Sequence, residues 1–139
     1  MRNNESMLKK ARWLGIVFLA YVIVLPLFII MLESEFAPGT GPDVISWVLL
    51  FLMPIEILLI YAVYRFFGNR GRFQNIMGPA ILMYVFATAP SIYSFVIGFI
   101  DSSLRYIAIP LGLMFSIVGL WLALSLISRL WGTSQGFNQ

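Results

Sequence analysis

A chain of 139 residues that is 60% hydrophobic and only 11% charged cannot hide its apolar surface in a soluble core. Soluble domains average about 45–50% apolar and about 25% charged residues, and small ones leave much of their area in water. The absence of cysteine and histidine excludes disulfides, thiol nucleophiles, haem or zinc ligation through those side chains, and imidazole acid–base chemistry; the net charge of +3 is too small and too localised for a nucleic-acid partner.

The length allows a single domain, and a mean hydropathy of +0.92 makes lipid its surrounding medium. A helix needs about 18 or more apolar residues to cross roughly 30 Å of hydrocarbon. Four stretches meet that condition. The first runs from about Trp13 to Leu32 and is followed by a Gly/Pro-rich loop, Glu33 to Asp43. Its apolar run is longer than the 7–15 residues of a signal-peptide core and no small-x-small cleavage site follows Leu32, so it is expected to be a retained helix. The second runs from about Val44 to Tyr64 and leads into a cationic turn, Gly68-Asn69-Arg70-Gly71-Arg72. The third covers about Ile76 to Ile100 and ends at a tight Asp101-Ser102-Ser103 turn. The fourth covers about Tyr106 to Ile127, and the residues from Gly132 to Gln139 form a polar tail. The expected fold is an all-α, up-down bundle of four transmembrane helices.

Charge predicts its orientation. With four crossings, Arg2, Lys9, Lys10, Arg12, Arg65, Arg70, Arg72 and Arg129 share one side, and Arg105 stands alone on the other. Short cytoplasmic loops carry the Lys/Arg excess, so both termini are expected to be cytoplasmic, in the cell membrane. Glu33, Glu35 and Asp43 in the first outer loop agree with this, and these three acids read as solvated topology markers more readily than as a surface cation site. Trp13, Trp47, Tyr64, Tyr106 and Trp131 fall near predicted helix ends, where amphipathic rings prefer to lie.

Close contact between helices in lipid is made by small residues. Ala87, Ser91, Ser94 and Gly98 form one stripe on the third helix, and Gly112, Ser116, Gly119 and Ala123 one on the fourth. Four- and three-residue steps keep each stripe on one face, which predicts an antiparallel hairpin with the two stripes facing. Pro26, Pro54 and Pro90 interrupt three of the helices; each removes a backbone hydrogen bond, and neighbouring groups in a bundle can re-satisfy the freed carbonyls.

Glu56 is the ionisable residue that stands out. It lies near the middle of the second span, and the nearest charge in sequence, Arg65, is about 13 Å further along the helix. An ionised, unpaired carboxylate costs several kcal/mol at that depth, and intramembrane acids mark proton or ion paths or polar partners. Three readings stay open: a hydrogen bond within the bundle, with Tyr21, Tyr84, Ser91 or Tyr93 as candidate partners; contact with a cation on another subunit; or proton or cation handling.

The stretch Pro54-Ile-Glu56-Ile-Leu-Leu-Ile-Tyr61 resembles the carboxylate helix of rotary ATP synthase proteolipids, in which a mid-membrane acid is followed by an Ile-Tyr pair. Ala89-Pro90-Ser91-Ile92-Tyr93-Ser94-Phe95-Val96-Ile97-Gly98 is similar in rhythm, with Ser91 near where the acid would stand. The third and fourth helices also look like those of small four-helix membrane proteins of unassigned function. The resemblance implies that Glu56 is an ion-binding carboxylate. The chain departs from the proteolipids in lacking their long Gly-x-Gly-x-Gly tract and in carrying its small stripes on the two helices that lack the acid.

Membrane-embedded enzymes need a nucleophile, a metal cage or a paired acid and base, and five of the six acids here (Glu5, Glu33, Glu35, Asp43, Asp101) fall outside the apolar spans. The sequence therefore predicts a protein without catalysis, metal or cofactor. Its partners are expected to be the lipid bilayer and either other membrane subunits or further copies of itself. An accessory or structural subunit of a larger membrane complex is the first expectation. An oligomeric proton- or cation-translocating protein built on Glu56 is the alternative.

Overall fold

The computed structural model describes residues 2–32, 44–69, 76–101 and 103–136. The acidic loop with Glu33, Glu35 and Asp43, the turn residues Arg70 and Arg72, Ser102 and the final three residues lie outside the described residues. Four helices make up the fold: α1 (Arg2–Leu32), α2 (Val44–Asn69), α3 (Met77–Ile100) and α4 (Arg105–Gly136). Each is long and apolar enough to cross a membrane, and a helix meets the requirement that every backbone polar group in hydrocarbon be satisfied within the chain.

The helices outrun the apolar stretches that announce them. α1 begins at Arg2, well before the apolar span that starts near Trp13, and α4 continues beyond the span that ends near Ile127, as far as Gly136. No proline or glycine interrupts Arg2 to Leu14, and the turns at the end of α4 are held by hydroxyls folded back on the helix. Ser128 donates to the Leu124 carbonyl at 3.0 Å and Thr133 to that of Leu130 at 2.9 Å, the local bonding that short polar side chains make in helices. α4 also contains a proline near its start, Pro110.

α3 lies at the centre and touches all three other helices. Its longest seam is with α4, and α1 and α2 flank this pair on opposite sides, touching α3 and α4 but not each other among the described residues. The α3–α4 seam is antiparallel and close. A Cβ added to Gly112 would lie 2.7 Å from the Pro90 carbonyl oxygen and would also strike Ser94, and one added to Gly119 would lie 3.2 Å from Ala87 Cα. Ser91 meets Ser116 between these contacts. Ala123 is fully buried in the same core. Gly98 turns elsewhere, because a Cβ there would press on Ile29 of α1 at 2.7 Å.

The apolar core is in two parts. One cluster gathers Ala11, Val22, Ile60, Ala80, Met83, Ala87, Ala123 and Leu130 toward the ends that carry the chain's basic residues; the other gathers Met53, Ile97, Leu104 and Ala108 toward the opposite end. Around the level where they meet stand a carboxyl group and three serines.

Candidate functional site

α2 buries Ser46, Met53, Glu56 and Ile60. The steps of seven, three and four keep these residues on one helical face, so Glu56 turns inward with the apolar neighbours of its stripe. It is only 7% exposed and stands midway along the 26 residues of α2. The Tyr93 hydroxyl, from α3, donates to Glu56 Oε1 at 2.5 Å. Glu56 Oε2 is buried without a hydrogen-bond partner among the described residues. Buried polar atoms are almost always bonded, and among the described residues this oxygen and Ser46 Oγ, on the same face of α2, are the two buried side-chain atoms left without a partner.

The serines near this level stitch the helices together. Pro26 has no N–H to offer the Val22 carbonyl one turn earlier, and Ser91 Oγ, reaching over from α3, donates to that oxygen at 3.0 Å. The backbone N–H of Ser91, immediately after Pro90, donates to Ser116 Oγ of α4 at 2.9 Å. Ser94 Oγ donates to the Ser91 carbonyl at 2.8 Å, and Thr88 folds back onto the Tyr84 carbonyl at 3.1 Å. These bonds fix α1, α3 and α4 around one level, and the Tyr93–Glu56 bond ties α2 to α3.

Of the four side chains considered as partners of Glu56, the structure brings Tyr93 to it and sends the others elsewhere. Ser91 serves the α1 carbonyl. Tyr84 is fully buried and donates to the Ala11 carbonyl at 2.9 Å, while Tyr21 is 65% exposed on the outer face of α1. The acid therefore has a hydrogen-bond partner in its own chain, Tyr93, one of the four candidates named from the sequence.

At the far end of the bundle the Asp101 turn and Arg105, which the sequence places outside the spans, form a second polar cluster that the structure buries. Asp101 is fully buried and Arg105 is 7% exposed. Asp101 Oδ1 accepts from Ser103 N at 2.9 Å, Ser103 Oγ at 2.6 Å and Leu104 N at 3.1 Å, a side-chain turn that leads the chain into α4. Arg105 Nε donates to the Gly98 carbonyl at 2.8 Å, placing a cation at the C-terminal end of α3, where the helix dipole favours one. The signal was present as Asp-Ser-Ser before a helix start, but hydropathy cannot show that a charged turn is covered.

Chemically, the Glu56 site offers one carboxyl group, one phenol and an apolar surround. Among the described residues no group of three or more acidic side chains converges as a metal cage would require. No family model matches the chain, and no curated protein or solved structure matches it. The fold and its span lengths define a multi-pass integral membrane protein with four helices in one bundle.

Proposed function

We propose that this protein is a non-catalytic membrane protein that binds and releases a proton at Glu56, midway across the bilayer. The observation that carries the proposal is the inequality of the two carboxyl oxygens: Oε1 is held by Tyr93 and Oε2 is buried with no partner. Tyr93 orients the group, and Oε2 is the atom left to take the proton. Intramembrane acids are costly and by default functional, and the proteolipid-like rhythm of Pro54 to Tyr61 is consistent with such a role. The basic end of the bundle is assigned to the cytoplasm by its excess of Lys and Arg.

A hydrophobic carbodiimide couples to a protonated carboxyl group and not to a carboxylate. In native membranes it is expected to modify Glu56, and absence of modification would overturn the proposal. Glu56→Gln keeps the shape and removes the titration. Loss of proton flux in vesicles, with the protein still folded, supports the reading; unchanged flux reduces Glu56 to a structural bond.

The second reading is an accessory subunit of a larger assembly. It is favoured by the outer stripe of α1, where Val17, Tyr21, Val24, Phe28 and Met31 are all exposed at four- and three-residue steps, the repeat that a neighbouring helix packs against. Purification in mild detergent separates the two readings. A stoichiometric set of other proteins supports the subunit role, and so does loss of that set in Glu56→Gln. A homogeneous preparation without partners opposes it.

A further inference from the structure

Between α1 and α4, toward the basic end, lies a groove of about 440 Å³ lined by Arg12, Ile16, Trp121, Leu124, Ser125 and Ser128. α1 runs inward from that end and α4 runs toward it, so Arg12 and Ser128 stand at the mouth, with Ile16, Leu124 and Trp121 deeper. Arg12 is exposed and has no hydrogen-bond or ion-pair partner among the described residues. The two serines turn their hydroxyl protons back to the carbonyls of Leu122 and Leu124, at 2.8 and 3.0 Å, so neither offers a free donor. Beneath the guanidinium the walls are hydrocarbon and the Trp121 ring, itself 70% exposed.

An occupant of this groove must place negative charge at the mouth and hydrocarbon behind it. We propose that the groove binds an anionic phospholipid, its phosphate on Arg12 and one acyl chain along Ile16, Leu124 and Trp121. Lys9, Lys10, Arg65 and Arg129 are also exposed at this end of the bundle, and Glu5 is its one acid in the sequence. Basic residues near the interface attract anionic headgroups, and Arg12 opens onto this apolar slot. None of the groove residues belongs to the Glu56 layer, so the proposal stands apart from the proton-binding role.

The test is thermal unfolding of the full chain in a neutral detergent, titrated with phosphatidylglycerol or with phosphatidylcholine. Phosphatidylglycerol is expected to raise the midpoint and phosphatidylcholine to leave it nearly unchanged. Arg12→Gln should raise the half-effective phosphatidylglycerol concentration about fivefold, the worth of one headgroup contact by a basic residue. Ile16→Trp, at an exposed position, fills the slot while keeping the charge and should weaken the effect at least as much. Lys9→Gln should change it by less than about twofold. Equal effects of the two lipids, or an unchanged response in Ile16→Trp, would overturn the proposal. A loss in Lys9→Gln as large as in Arg12→Gln would show a diffuse surface charge and overturn it too. If Arg12→Gln does not fold, the Ile16 and Lys9 variants decide the matter.

Discussion

At Ser91 a single hydroxyl answers a defect created by another helix. Pro26 withholds the donor that the Val22 carbonyl would ordinarily receive, and Ser91 Oγ supplies one at 3.0 Å. Removing it leaves a buried carbonyl unmet, which costs about 1–3 kcal/mol in general, while side-chain hydrogen bonds measured within membranes average nearer about 0.6 kcal/mol. Ser91→Ala is therefore expected to destabilise the bundle by about 1 kcal/mol. Pro26→Ala returns an amide N–H to that turn of α1, so in its background the cost of Ser91→Ala should fall below about half that value. A double-mutant cycle of unfolding free energies in one detergent measures the coupling; a cost independent of residue 26 would mean that the bond to Val22 contributes nothing. Glu56 offers the opposite case. Its polar neighbour Tyr93 satisfies one oxygen only, and Ser91, the serine the sequence offered as a partner, is bonded to the Val22 carbonyl.

At the scale of elements, four apolar runs of the right length were enough to show four helices in lipid, because the hydrogen-bonding demand of a bilayer leaves the backbone few other forms. The meeting of α3 and α4 was legible for the same kind of reason. Small residues repeated at helical spacing on two helices joined by a short turn can bury themselves most readily against each other, and Ala87, Ser91 and Ser94 do lie against Gly119, Ser116 and Gly112. Gly98 has the spacing of that stripe but faces Ile29, since spacing places a residue on a face without saying which neighbour covers it. The separation of α1 from α2, and the burial of Asp101 and Arg105, were not legible: both depend on three-dimensional placement that a hydropathy pattern does not encode. The close seam makes a quantitative prediction. Gly112→Ala places a methyl group 2.7 Å from the Pro90 carbonyl oxygen, a backbone atom that cannot step aside as a flexible side chain would. A loss of about 1–3 kcal/mol is expected from such overpacking. Gly78→Ala, at the open start of α3 where nothing lies within 4 Å of the added Cβ, should be neutral or stabilising by up to about 1 kcal/mol. Unfolding midpoints that fall equally for both variants would mean that helix propensity, and not contact with Pro90, governs position 112.

The whole molecule is polarised along its axis. One end gathers the N-terminus of α1, the C-termini of α2 and α4 and nearly all the basic residues, and the other holds the turn with Asp101 and Arg105; the Glu56 level lies between them. The 24 residues of α3 span about 36 Å at 1.5 Å per residue, enough to cross a hydrocarbon layer of about 30 Å with both polarised ends at its surfaces. Lys and Arg within about 15–20 residues of short loops decide orientation during insertion, and the cations lie within that reach of the spans. The basic end should therefore face the cytoplasm. The native chain has no cysteine, so single-cysteine variants report position without background. Thr133→Cys, exposed on α4 at the basic end, should resist a membrane-impermeant thiol reagent in intact cells and react once the membrane is opened. Val44→Cys, 75% exposed at the other end, should react in intact cells. The reverse pattern would place the termini outside and turn the lipid groove at Arg12 toward the outer leaflet. Reaction of both from the same side would contradict four crossings, because residue 133 and residue 44 are separated by the full thickness of the bundle.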